Sequence, residues 1–239
     1  GLYPMQTIKE FQSELIKDAE GMYSDSDLQE DAFGVLVRAD RHRWIHQTNF
    51  AGIPALQLPQ DLFAIQEIIF KTKPQVIVEL GVAWGGTTMF LDSFHKREII
   101  GIDLQIPEHL DKATKYKPNI KFLIGDSVMQ FPTVQRFVKD KKCMVIVDSL
   151  HTHEHVLSEL NAYSQLVGHG CYMVVCDTLV DDERYHEDGK ARNRPWGPGN
   201  SPRSALNQFL DENSGFRRDE NIRNKLLLSC QPDGYIYKK

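Results

Sequence analysis

Short apolar runs recur at residues 76–80, 99–102, 120–124, 144–147 and 172–175, separated by helix-length amphipathic segments. That rhythm is the pattern of βαβ units and predicts a parallel sheet. The runs are apolar throughout instead of alternating, as strands covered by helices on both faces must be. Four of the five are followed directly or within two residues by an acid, Asp103, Asp126, Asp148 and Asp177, and Glu79 lies inside the first. In an open α/β sheet, ligands bind beyond the carboxyl ends of the strands, so these acids are expected to surround one cleft. A single such acid would be explained as a helix cap. Five at one edge are not.

The flanking segments complete a Rossmann-like, doubly wound α/β fold, with a mostly parallel seven-stranded sheet. A helix opens at Pro59, where a missing N–H is harmless, and Pro74 ends it. A helix is expected near 204–210, and the apolar runs at 226–228 and 235–237, split by Pro232, Asp233 and Gly234, read as a C-terminal antiparallel hairpin closing the sheet edge. Upstream, Ile8, Phe11, Leu15 and Ala19 recur at helical spacing, which predicts an amphipathic helix turned toward the body of the protein. Residues 1–58 are thus a helical extension and 59–239 the main domain. Arg41, His42, Arg43, Trp44, His46, Asn49 and Phe50 form a dense polar and aromatic stretch that is either a lid or a connector wrapping the sheet. The polar stretch 178–202 has no periodicity and is a second lid candidate.

A net charge of −5 gives no long-range attraction for phosphate backbones, which argues against nucleic acid as a partner. No stretch approaches the roughly 20 apolar residues of a membrane span, and no basic region followed by an apolar run opens the chain, so a cytoplasmic protein acting on small molecules is expected. Cys143, Cys171, Cys176 and Cys230 sit in or beside apolar runs without ligand spacing and read as reduced, buried thiols.

After the first strand comes Glu79-Leu80-Gly81-Val82-Ala83-Trp84-Gly85-Gly86-Thr87. This is neither the glycine fingerprint of dinucleotide folds nor a phosphate-binding loop with its lysine. A carboxylate two residues before the first glycine repels phosphates and suits a cationic ligand, such as the amino and sulfonium groups of S-adenosylmethionine. On that reading Glu79, Gly81, Gly85, Gly86 and Thr87 form the cofactor turn, Asp103 takes the ribose hydroxyls, Asp126 and Ser127 meet the adenine edge, and Asp148 borders the same cofactor. Asp148 and Asp177 are an oxygen pair suited to Mg²⁺. His151, three residues after Asp148 and on the same face if a helix begins there, is the candidate base for a substrate hydroxyl. Its alternative role is a structural cap, and His153 and His155 follow closely.

Taken together, 52–61 (GIPALQLPQD), the loop 79–87, Asp148-Ser149-Leu150-His151, Val175-Cys176-Asp177-Thr178, 196–202 (WGPGNSP) and Pro232-Asp233-Gly234-Tyr235 resemble the cephalosporin hydroxylase-like family, whose relatives include macrolide-sugar and rhamnosyl O-methyltransferases. The resemblance runs from Gly52 to the C-terminus. It implies S-adenosylmethionine-dependent methyl transfer to a hydroxyl of a sugar or other natural product, usually with Mg²⁺ and often in a homo-oligomer. It also implies that Asp148 and Asp177 are metal ligands and His151 the base. Similar proteins commonly carry Glu where this chain has Cys176, a soft and poor ligand for Mg²⁺. Either the aspartates, waters and substrate suffice, or Asp181 or Asp182 compensates, or the metal is lost and the chain is a non-catalytic S-adenosylmethionine-binding accessory protein. Iron-dependent hydroxylation built on Asp148, His151 and a neighbouring histidine would leave the glycine loop unexplained. Arg192, Arg194 and Trp196 are either substrate contacts or solvated surface.

Overall fold

The computed structural model describes residues 5–188 and 193–239. Two helices lead, α1 (Ile8–Ser24) and α2 (Ser26–Asp40), followed by a two-stranded antiparallel ribbon of β1 (Asn49–Phe50) and β2 (Ile53–Pro54). Then α3 (Pro59–Thr72), β3 (Val76–Leu80), α4 (Gly86–Phe94), β4 (Glu98–Asp103), α5 (Glu108–Ala113), β5 (Ile120–Ile124), α6 (Phe131–Val138), β6 (Cys143–Val147), α7 (His153–Tyr163) and β7 (Tyr172–Val175) alternate. The chain ends with α8 (Glu183–Asp188), α9 (Pro202–Glu212), β8 (Phe216–Arg218), α10 (Glu220–Lys225) and β9 (Tyr235–Lys238). The large sheet has the order β5-β4-β3-β6-β7-β9-β8. Its first five strands pair in parallel, and β9 runs antiparallel to both β7 and β8.

The continuous apolar runs produce two cores from one sheet. Val76, Val78 and Leu80 of β3 face Val156, Leu160 and Tyr163 of α7 and Leu206 and Phe209 of α9, while Ile77 turns to Ile65, Ile68 and Ile69 of α3 and to Leu91 of α4. Each fully buried aliphatic side chain contributes on the order of 1.5–3 kcal/mol. The order reverses at β3, with β4 on one side and β6 on the other, so the helices that follow β3 and β6 leave a crevice at the strand ends.

Three expectations change. The partner of β9 is β8, not residues 226–228. Leu226 packs with Ile222 into the α3 side of the sheet, and the arginines of β8 kept it from reading as a strand. The 178–202 stretch is not structureless, because residues 178–181 form a 3₁₀ turn and α8 follows. Helix α1 is well begun, with Thr7 and Glu10 in a reciprocal capping box, yet it buries no residue. Ile8 is 78% exposed and Phe11, Leu15 and Ile16 are exposed too, so its apolar face does not turn to the body as expected. Helix α1 packs on α10, where Arg223 lies 4.0 Å over the Tyr23 ring.

Candidate functional site

The strand ends open into a cleft of about 630 Å³. Glu79, Gly81, Thr87 and Asp103 line one part of it, Asp126 and Ser127 another, and Asp148, His151 and Asp177 a third. Gly85 and Gly86 are not among the lining residues. A Cβ on Gly85 would meet the Leu110 side chain at 2.5 Å, and one on Gly86 the Pro54 carbonyl oxygen at 2.4 Å. Those two glycines admit the chain's own segments. Gly81 has φ +94°, and a Cβ there would stand 1.9 Å from the Asp148 carbonyl oxygen, so the crossing of β3 and β6 at the cleft floor requires glycine. Trp84 does not plug the turn. It is 52% exposed and stacks outside on His109, whose Nε2 donates to the Trp84 carbonyl at 2.7 Å.

The acids differ in state. Glu79 is 2% exposed and accepts from Thr88 Oγ1 at 3.0 Å. Burial, reinforced by the charge of Asp103, pushes its carboxyl up to about 8. Asp103 clamps the glycine turn: Oδ2 accepts from the N–H groups of Val82 and Ala83 at 2.8 and 2.9 Å, and Oδ1 from that of Leu104 at 2.7 Å. Little of its acceptor capacity remains for two ribose hydroxyls. Asp126 spends Oδ1 on the N–H groups of Val128 and Met129, and Oδ2 stays turned toward the cleft.

At the third part, Asp148, His151 and Asp177 each bring one ligand atom to within 4.8 Å of the others. His151 and Asp148 do not share a helical face, because α7 starts only at His153. They meet in the connector after β6, and His151 Nε2 lies 3.1 Å from Asp177 Oδ2. The His151 ring stands edge-on to Trp196 at 4.9 Å. Burial, then the charges of Asp177 and Glu79, raises the Asp148 carboxyl well above the carboxylate range. A buried carboxyl held up by a neighbouring carboxylate fits a divalent cation, which would offset the repulsion.

Cys176 is not part of this set. It still pairs as strand, its N–H donating to the Val147 carbonyl at 2.9 Å, and its thiol is wholly buried. Asp177 then takes a left-handed conformation, φ 55°, which swings it into the cleft. The amide of Gln57, absent from the expected site, fills the space between. Its Nε2 donates to Asp148 Oδ2 at 3.0 Å and to Cys176 Sγ at 3.6 Å, while Gln231 Nε2 donates to Gln57 Oε1 at 2.7 Å. The signal for Gln57 was its place within the 52–61 segment that carries the resemblance. Neither Asp181 nor Asp182 compensates for the thiol: Asp181 accepts from Gly199 N–H and Ser201 Oγ, and Asp182 pairs with Arg184.

Both segments expected as lid candidates reach the cleft. Ile45 and His46 line it from the first, and Tyr185, Arg194 and Trp196 from the second, where Tyr185 Oη donates to Asp40 Oδ2 at 2.7 Å. Arg192 lies outside the described residues. His153 is structural, bridging to Ser204 and Gln208 on α9.

Sheet order, reversal point and strand-end acids define a Rossmann-like methyltransferase architecture. Residues 42–239 match the family described as Rhamnosyl O-methyltransferase/CmcI, and the chain belongs to that family. It is 23% identical over 218 residues to the rhamnosyl O-methyltransferase of Mycobacterium tuberculosis, covering 84% of this chain and 85% of that one. The Mycobacterium leprae enzyme of the same name is 24% identical over 221 residues, with 85% and 91% covered. Among solved structures, CmcI in its magnesium and S-adenosylmethionine form superposes with a TM-score of 0.56 at 20% identity, over 81% of this chain and 77% of that one. A putative caffeoyl-CoA O-methyltransferase from Staphylococcus aureus superposes with 0.53 at 17% identity, over 75% and 83%.

Proposed function

We propose that this protein transfers the methyl group of S-adenosylmethionine to a hydroxyl of a sugar or hydroxylated natural product, with Mg²⁺ held by Asp148 and Asp177. The observation that carries the reading is the convergence of Asp148, His151 and Asp177 at one part of a cleft otherwise lined by Glu79, Gly81, Asp103 and Asp126. A cation there makes a nearby hydroxyl more acidic. His151 accepts the hydroxyl proton, with Asp177 3.1 Å from its Nε2 to stabilise the imidazolium that results. Trp196 packs the imidazole edge-on, limiting its rotation and keeping water from that side. Glu79 offers its carboxylate to the cofactor's ammonium, and the clamp on Asp103 keeps the glycine turn in place to receive it. Because Cys176 sits in the core and leaves both aspartates in the cleft, it gives little support to a non-catalytic accessory role.

No helix among the described residues is long and apolar enough to cross a membrane, in keeping with the cytoplasmic location we infer. The exposed apolar face of α1 supports a homo-oligomer, in which a second copy would cover it.

The test is thermal unfolding with S-adenosylmethionine, NAD or 2-oxoglutarate, each with and without Mg²⁺. Stabilisation by S-adenosylmethionine is expected, worth about 2.7 kcal/mol at one hundred times its Kd. Stabilisation by NAD alone would overturn the reading. His151→Ala should keep cofactor binding and lose about 10²–10⁴-fold in turnover.

A further inference from the structure

One cluster on the cleft wall is unused by the chemistry above. Glu159 of α7 is wholly buried beneath the wall, and its Oε2 has no hydrogen-bond partner among the described residues. Its Oε1 gathers three groups: the hydroxyl of Ser127, that of Ser149 at 2.5 Å, and His155 Nε2 at 3.3 Å. A buried carboxylate without a cation is costly, and His155 is the cation placed against it among the described residues. The two serines give their protons to Glu159 and turn lone pairs toward His155 Nε2, 3.1 Å from each. Nε2 is therefore the donor in every contact it makes, and pairing with the buried carboxylate favours the protonated ring, in which Nδ1 carries a proton as well. Hydrogen bonding to Glu159 does raise the imidazole above its ordinary range, despite partial burial.

That leaves His155 Nδ1–H at the cleft surface. It stands 4.0 Å from Asp126 Oδ2, beyond hydrogen-bond reach, and Asp126 has already spent Oδ1 on backbone N–H groups. The wall thus presents one donor next to one acceptor, both unspent among the described residues. Adenine carries the complementary pair, an amino donor at N6 beside the acceptor N1, whereas hypoxanthine has an acceptor at the sixth position and a donor at N1.

We infer that His155, positioned by Glu159, is a specificity residue that reads the base of the cofactor: Nδ1–H donates to a ring nitrogen while Asp126 Oδ2 accepts from the exocyclic amine. The inference rests on the cofactor reading above. Ser127 and Ser149 take part only as relays that fix the imidazole.

The test is calorimetry of the full chain with S-adenosylhomocysteine and S-inosylhomocysteine. Wild type should prefer the adenosyl ligand by at least about ten-fold, since an opposed acceptor leaves buried polar groups unpaired. His155→Phe should weaken adenosyl binding about ten-fold and leave inosyl binding nearly unchanged, so that discrimination narrows about ten-fold, leaving the share that Asp126 supplies. Glu159→Gln, which keeps the shape and removes the charge, should narrow it as well. A merely structural role would weaken both ligands alike, and discrimination undiminished in either folded variant would overturn the proposal alone. Binding of neither ligand by wild type would overturn the cofactor reading and the proposal with it. If the variants do not fold, the ¹⁵N resonance of His155 Nδ1 in the wild type decides the matter. A shift on adding the adenosyl but not the inosyl ligand supports the assignment, and equal shifts or none refute it.

Discussion

A cationic ligand entering this cleft favours the ionised form of Glu79, whose proton must then leave to solvent. With the carboxyl pushed up to about 8 by burial, the free protein at about pH 7 holds that proton in roughly nine molecules of ten. An ammonium against Glu79 favours the carboxylate, so binding drives the proton off. Removing it costs about 1.4 kcal/mol at about pH 7, a ten-fold penalty on apparent affinity, and about ten-fold more for each unit below. Affinity for S-adenosylhomocysteine should therefore tighten about ten-fold per unit between about pH 6 and 7.5, a window in which the ligand ammonium stays charged. Calorimetry at about pH 7, run in buffers of different ionisation enthalpy, should register close to one proton released per ligand bound. Glu79→Gln should remove most of that release and flatten the slope, with Thr88 still able to hydrogen-bond the amide. Proton release near zero in the wild type, or a slope that survives Glu79→Gln, would refute the assignment of Glu79 to the ammonium.

The raised Asp148 carboxyl makes the folded state bind more protons than the unfolded chain, so without a cation the protein should lose stability as pH rises from acid toward neutral. Asp148→Asn should raise the neutral-pH melting temperature by on the order of a few degrees and abolish the response to Mg²⁺, both read by calorimetric melting. Cys176→Glu should not tighten Mg²⁺ through direct ligation, because the position is wholly buried; a substantial drop in melting temperature, on the order of 3–5 kcal/mol of stability, is the expected result. Gly81→Ala combines a positive φ with a Cβ driven onto the Asp148 carbonyl, and should cost several kcal/mol or abolish folding, measured by denaturant unfolding.

Much of this architecture was legible because it depends on period and position. Continuous apolar runs gave the parallel strands, and an acid in or just after each run lands near the sheet edge whatever the loops do. Contacts made through turns were not legible. His151 finds Asp177 instead of sharing a helical face with Asp148, since the helix starts two residues later and Asp177 turns through a left-handed conformation. Gln57 reaches Asp148 from 91 residues away, and no local pattern announces that. Leu226 looked like strand because filling the α3 side of the sheet demands the same apolar character as pairing does. The His155–Glu159 pair was within reach, standing four apart on one helix, but the burial that makes the carboxylate need its histidine is a property of the packed sheet.

The central claim is that one cleft holds a divalent cation and an adenosyl group at neighbouring places, and a crystal grown with Mn²⁺ and S-adenosylhomocysteine tests it most directly. Anomalous scattering should place the ion in direct coordination with carboxylate oxygens of Asp148 and Asp177, with the nucleoside running between Asp103 and Asp126. An ion bound elsewhere, or an adenosyl group outside the strand ends, would contradict the account.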